Sequence, residues 1–455
     1  MALHAVYSLL GLAHIAVAAS VIVPGAPWTD TSGNRIQAHG GGILKVNNTF
    51  FWFGEDKAAN SALFSAVSCY TSTDLINWSR QNNALSPISG TMISSSNIVE
   101  RPKEVLHLAL NQEYVMWFHS DSSNYGAAQV GVATAKSPCG PYAYKSSFKP
   151  LGADSRDMGL FQDSASSTAQ TSYLLYASDN NQNFKIARLD SNYYNVTSVV
   201  ATLSGATLEA PGIIKRNNVY TLFASHTSGW APNPNKFFTA SSISGSWSSQ
   251  ADIAPSSTRT YYSQNAFDLA LSVNSAVYMG DRWRSNVLGD SRYIWLPLDF
   301  SSGSPKLIWA DLWTLNLASG TYSIPSGTAY EAEKGTRSGN STLINNSAFS
   351  GGQAVGYLGK GGTVTISNVQ GIGASGGQWV SIYYANGDST YRNMTITVNG
   401  GSQVLLDQPD SGGGSVALSV PVKLPLRSGA NTLVFAANQN TYAADLDKIV
   451  VYTQT

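Results

Sequence analysis

Charge is scarce in this 455-residue chain: only 12% of residues are Asp, Glu, Lys or Arg. The 27 acids balance the 27 lysines and arginines. No basic surplus exists to attract nucleic acid or anionic lipid, so neither is expected as a partner. Cysteine is scarcer still, with Cys69 and Cys139 alone. No second Cys or His lies at ligand spacing, so a zinc site is not expected. Beyond the first twenty residues no apolar run is long enough to span a bilayer. The one long run, Ala5 to Ala19, ends in Ala16-Val17-Ala18. It reads as a signal peptide over residues 1–20, although only His4 supplies a potential positive charge. Sequons at Asn47, Asn77, Asn195, Asn340, Asn345 and Asn393 agree with a secreted, extracellular glycoprotein.

What the chain has instead is glycine and aromatics: 41 Gly, 23 Tyr and 11 Trp. These favour turns and strands over long helices. A neutral, aromatic-rich surface suits uncharged ring-shaped partners such as sugars, whose C–H faces pack on aromatic rings. The length predicts two or three domains. One phrase, an aromatic-rich strand ending in a polar or charged residue, occurs five times: FFWFGED (50–56), YVMWFHSD (114–121), YLLYASD (173–179), YTLFASH (220–226) and VYMGDR (277–282). Each is followed by a second strand-like run, such as AVSCYTS or RYIWLPLDF. Such a unit cannot bury its own apolar face, and five copies closing a ring predict a five-bladed β-propeller over residues 21–317. Cys69 and Cys139 fall at the outer ends of neighbouring units, which predicts one disulfide between them. Residues 318–328 read as a linker. Short alternating strands such as TVTISNV, WVSIYYA and NTLVFAA then predict a β-sandwich or jelly roll over 329–455. The chain is thus expected to be all-β.

Propeller loops line one central pocket, so acids beside Pro or Gly at strand ends are the candidates for chemistry. Glu100 (NIVERPK), Asp157 (DSRDMGLFQD), Asp179 (LLYASDNNQ) and Glu209 (ATLEAPGIIK) stand out. Any one of them alone is more simply a solvated or salt-bridged turn residue. Glu209 differs, because it interrupts an apolar run before Pro-Gly, where partial desolvation raises a carboxyl towards proton donation. A pair of carboxylates across a sugar ring is what glycosidic cleavage needs.

These stretches resemble glycoside hydrolase family 43, a five-bladed β-propeller family. NIVERPK, HSDSSNYGAA, GADSRD, LLYASDNNQNFKI, TLEAPG, ASHTSGWAPNPNK and YYSQNAFDL are similar to its exo-β-1,3-galactanase branch. The resemblance implies an inverting enzyme with Glu209 as acid and Asp157 tuning that acid and binding sugar. The wider family carries its base as an Asp on the first strand, where this chain reads IQAHGGGIL without a carboxylate. Glu100 and Gln264 are the visible substitutes. An inverting site leaves room for a water between groups roughly 6.5–9.5 Å apart. The expectation is that the Gln264 carbonyl oxygen aims this water, with Glu100 close by and polarising the amide; substrate binding alone is the alternative role for Gln264. Tyr125, Asp179, Thr227, Trp230 and Arg282 are candidates for hydroxyl bonding or ring stacking, with inter-blade packing an equal reading for Trp230. His39 and His226 could touch a central ion or water, but read more simply as buried structural histidines.

Glu331 and Glu333 in YEAEKG share one strand face, and with Asp447 they form an oxygen-rich set suited to calcium. FSGGQAVGYLG, NGDSTYRNMTITVNG and NQNTYAADLDKI resemble carbohydrate-binding module family 35. That resemblance implies a structural calcium there, and sugar-binding loops at Tyr357, Asp388, Arg392, Asn440 and Tyr442. No cofactor is expected in catalysis. The expectation is a secreted, monomeric exo-β-1,3-galactanase acting on arabinogalactan-type backbones. An α-L-arabinofuranosidase or β-xylosidase of the same family, or a non-catalytic propeller lectin, remain as alternatives.

Overall fold

The structure is a computed structural model describing residues 21–107, 113–166, 169–437, 440 and 442–454. The expected signal peptide, residues 1–20, lies outside the described residues. The protein is all-β. Each repeated aromatic phrase forms the second strand of a four-stranded antiparallel sheet whose strands follow chain order. The first strands of the five sheets are His39–Val46, Ile98–His107, Met158–Ser166, Leu208–Arg216 and Gln264–Ala270. Each touches the next, and the fifth touches the first, which closes a ring.

The aromatic strands are buried on both faces because every sheet has a neighbour on each side. Val115, Met116, Trp117 and Phe118 are all fully buried. Alternate residues serve different cores: Val115 and Trp117 pack with Leu174 and Tyr176 of the third sheet, Met116 and Phe118 with Phe53 and Val67 of the first. Period-two alternation therefore divides residues between two apolar cores rather than between core and water. Each fully buried large side chain contributes roughly 1.5–3 kcal/mol relative to exposure. The first–fifth junction is the most aromatic, with Trp28, Trp52, Trp78, Tyr293 and Trp295 in mutual contact. The N-terminal segment is pinned to that junction by paired hydrogen bonds between Ile22 and Trp313. Cys69 and Cys139 form a disulfide between the first and second sheets, as their positions in the repeat predict.

The stretch expected as a linker is partly structured: Thr314–Asn316 and Thr321–Ser323 form a hairpin across the expected boundary. Beyond it, two antiparallel sheets pack on one core. Val380, Ile382 and Tyr384 of one sheet meet Val364, Met394, Ile396, Leu433 and Phe435 of the other. The two units are joined through Asp311, whose carboxylate accepts from Trp309 Nε1 (2.9 Å) and from the Tyr383, Tyr452 and Ser419 hydroxyls of the C-terminal unit. Arg259–Asp410 (2.9 Å) and Arg284–Asp407 (2.6 Å) add ion pairs across the same seam. Among the described residues no helix is long and apolar enough to cross a membrane.

Candidate active site

The innermost strands of the first, second and fourth sheets share a device at their starts. A bulge separates His39 from Gly42, Glu100 from Lys103 and Glu209 from Gly212. The residue after each leading side chain is left-handed: Gly40 (φ 58°), Arg101 (φ 55°) and Ala210 (φ 54°). A bulge re-aims side chains that a regular strand would send to opposite faces. In the second sheet it brings the consecutive residues Glu100 and Arg101 into one cavity.

That cavity, about 200 Å³, is lined by Glu55, Glu100, Arg101, Tyr125, Asp157, Glu209, Gly229, Trp230, Gln264 and Trp283. Arg101 is its organising cation. Its Nε pairs with Asp157 (3.0 Å), its Nη1 donates to Asn265 O (2.9 Å) and its Nη2 to Gln264 Oε1 (2.6 Å). Asp157 also accepts from the Ala210 amide at 3.1 Å, which ties it to the strand of Glu209. Burial, then the neighbouring Asp157 charge, pushes the Glu209 carboxyl up to about 8, so it holds its proton at neutral pH. Burial pushes Glu100 upward as well. The His119 hydrogen bond, the Lys57 charge and the Tyr125 hydroxyl (2.8 Å) outweigh it and bring Glu100 down to about 2. His119 is the cation beside it. Against burial, Asp121 (2.9 Å) and Glu100 (3.3 Å) raise it to about 9. Burial raises Glu55 despite its pair with Lys57 at 2.8 Å. One cavity thus holds a protonated Glu209 and an ionised Glu100, the division of labour glycoside hydrolysis requires.

The arrangement around Gln264 differs from expectation. Its carbonyl oxygen accepts from both Arg101 Nη2 and Trp283 Nε1 (3.0 Å), and its amide nitrogen donates to Ser225 Oγ (3.0 Å). Two obligatory donors on Oε1 fix the amide's orientation. The oxygen's lone pairs are therefore committed, and the polarising neighbour is Arg101, not Glu100. What remains to meet a water or sugar hydroxyl is the second amide hydrogen.

A family model for glycosyl hydrolases family 43 matches residues 38–271. Crystal structures of the exo-β-1,3-galactanase from Phanerochaete chrysosporium are 70% identical over 95% of this chain and 100% of that one, with a TM-score of 0.92. The chain belongs to glycosyl hydrolase family 43. An exo-β-1,3-galactanase from Clostridium thermocellum is similar to this family 43 enzyme at 28% identity over 95% of this chain and 100% of that one (TM-score 0.63). A putative exo-β-1,3-galactanase from Bifidobacterium bifidum matches at 32% over 65% and 97% (TM-score 0.59). A model described as the CBM13 domain of an alpha-galactosidase matches residues 363–451, whereas the sequence motifs there resemble module family 35. No curated protein sequence matches the family 43 chain significantly.

Of the candidates read from the enzyme's sequence, Glu100, Tyr125, Asp157, Glu209, Trp230 and Gln264 line the cavity together; Asp179, Thr227 and Arg282 do not. Asp179 is drawn outward by Lys185 and Asn183. Thr227 is exposed on the loop that carries Trp230. Arg282 is buried towards the C-terminal unit, where it donates to the Tyr261 and Tyr262 carbonyls. Trp230 meets Trp283 edge to face at 5.0 Å, so it forms a cavity wall. His39 is buried against Asp281 (2.9 Å) and stacked on Tyr293, while half-buried His226 contacts Thr207 and Gln250; neither lines the cavity. Glu55, Arg101 and Trp283 were missed. Glu55 lies in the acidic end of the first aromatic phrase, FFWFGED, so the repeat itself signals it, whereas strand alternation points Arg101 the other way.

In the C-terminal unit, Tyr357 and Tyr442 pair edge to face at 5.2 Å, and Arg392 bridges Asp388 (2.6 Å) and Ala443 O (3.1 Å). Asn440 is exposed nearby in the chain. Glu331 Oε1 and Asp447 Oδ1 both accept from Ser350, and one oxygen each of Glu331 and Glu333 is buried without a hydrogen-bond partner. Five sequon asparagines are exposed; Asn393 is half-buried, its amide held by Asp407 at 2.6 Å.

Proposed function

We propose that the chain is a secreted exo-β-1,3-galactanase that removes terminal galactose from β-1,3-galactan with inversion. The observation that carries this reading is the pairing of protonated Glu209 with ionised Glu100 in one small cavity. At about 200 Å³ the cavity is smaller than typical drug-sized pockets and suits the single end unit of a chain. The substrate follows from the 70% identical fungal enzyme, captured with galactose and, as glutamate variants, with β-1,3-galactotriose. Glu209 gives its proton to the departing glycosidic oxygen as the C1–O bond breaks. A water attacks C1 from the opposite face and passes its proton to Glu100. Gln264, clamped by Arg101 and Trp283, orients that water or the sugar through its free amide hydrogen. Burial, and then the charge of Asp157, keep Glu209 protonated.

We read the five sheets as five blades and the C-terminal unit as a jelly-roll carbohydrate-binding module. Tyr357, Asp388, Arg392, Asn440 and Tyr442 would form its sugar site. Tethering to polysaccharide would raise effective substrate concentration without adding chemistry. Glu331, Glu333 and Asp447 would hold a calcium ion. The orphaned buried oxygens of Glu331 and Glu333, and the rise of Asp447 to about 6 through burial and then the charges of those two glutamates, fit a site for a hard cation. The ion would brace the module and takes no part in the reaction. Incubation with β-1,3-galactan should release galactose. Hydrolysis of nitrophenyl arabinoside or xyloside without galactose release would instead assign the chain to another activity of its family.

A further inference from the structure

A second cavity, about 460 Å³, lies in the seam between the two units, and nothing in the catalytic reading uses it. The propeller side contributes Arg282, Arg284, Arg292 and Asp290, and the module contributes Trp379, Tyr391, Asp407 and Lys423. Four cations thus face two carboxylates, in a chain whose overall charge is zero. The carboxylates are already shared. Asp290 serves Arg284, Arg292 (2.6 Å) and Arg35 (2.9 Å), and Asp407 serves Arg284 at 2.6 Å. Arg282 has no carboxylate partner among the described residues. Its Nε and Nη2 reach only the Tyr262 (3.2 Å) and Tyr261 (2.9 Å) carbonyls. Its Nη1 packs against Gly25, where a Cβ would lie 3.1 Å from that nitrogen, and it borders the cavity without a side-chain acceptor among the described residues. Two aromatic rings complete the lining: Lys423 lies over Trp379 at 5.0 Å and Arg284 over Tyr391 at 4.7 Å.

We propose that this seam cavity binds a carboxylated sugar, a uronic acid unit, with the carboxylate on Arg282 and Arg292 and the ring against Trp379. With Nε and Nη2 of Arg282 on the two carbonyls, Nη1 is left for a carboxylate, which guanidinium N–H groups hold by charge-assisted hydrogen bonds, and an aromatic face takes the apolar side of a pyranose. A ligand here touches both units, so it also holds the module against the propeller. The proposed galactanase reading enters only in the choice of a sugar as carrier of the charge. The test reads binding, not hydrolysis, so either idea can fail alone.

The experiment is calorimetric titration of the full chain with methyl β-D-glucuronide while galactose saturates the catalytic cavity. The expected result is binding that weakens with salt, at least about fivefold tighter than methyl β-D-glucoside or acetate. Arg292→Gln and the exposed Lys423→Gln should each weaken it about fivefold or more, with galactose release from β-1,3-galactotriose unchanged. No glucuronide binding, displacement by galactose, equal binding of acetate or glucoside, or indifference to both substitutions would overturn the proposal.

Discussion

Two carboxyls lining one cavity, Glu209 and Glu100, titrate on either side of neutrality, and that separation defines the working pH. Glu209 holds its proton up to about 8, and Glu100 is ionised from about 2 upward. Activity should therefore fall as pH rises through about 8 and keep its plateau well into acid, which a kcat/KM profile on galactotriose checks. Glu209→Gln should lower turnover by at least about 10³ while leaving galactan binding intact; retained turnover would remove Glu209 from the acid role. The same substitution carries a stability signature. The unfolded carboxyl ionises near its usual value, whereas the native one keeps its proton to about 8, so native stability declines as pH climbs between the two. The amide does not titrate, so Glu209→Gln should melt higher than wild type at pH 8 and show a smaller difference at pH 4. His119, raised to about 9, works in the same direction: its contribution is full below its usual value and lost towards pH 9.

Bulges at the starts of the inner strands turn a generic sheet into a site, and they decided what the sequence could reveal. The aromatic phrases exposed the repeat because second strands are buried on both faces and read as continuous apolar runs. Glu209 was legible for a related reason, as an acid interrupting such a run. Arg101 was not, because period two places it opposite Glu100 and nothing in VERPK announces a left-handed residue. Arg282 misled in the opposite sense: it lies at the polar end of a repeat as Glu55 does, yet tertiary packing takes it to the domain seam. Gly40 shows how tightly one bulge is built, since a Cβ there would lie 2.3 Å from Glu55 Oε1. Gly40→Ala should displace Glu55, lower melting by the equivalent of ~1–3 kcal/mol and reduce kcat. Normal values on both counts would show that this bulge does not shape the site. Arg101→Lys removes the fork that spans Asp157, Asn265 and Gln264, and should cut kcat at least tenfold with a smaller change in KM.

At the level of the whole molecule, Asp311 links propeller and module through four side-chain donors, three of them from the module. Hydrogen bonds to a charged acceptor are worth roughly 1.5–3 kcal/mol each, and losing Asp311 strands three hydroxyls. Asp311→Ala should split one calorimetric transition into two and expose the hairpin at 314–323 to protease, with galactotriose hydrolysis largely kept. Chelation by EDTA should lower the melting of the module before that of the propeller if Glu331, Glu333 and Asp447 hold calcium. The two-unit organisation was visible from the change in strand texture, but the seam was not, because contacts such as Arg284–Asp407 join residues over a hundred positions apart. In the proposed chemistry Glu209 and Glu100 act across one galactose unit in a single displacement. Proton NMR of the sugar first released from β-1,3-galactotriose tests it most directly. α-Galactose should appear before mutarotation; initial release of β-galactose would rule out a single displacement by Glu209 and Glu100.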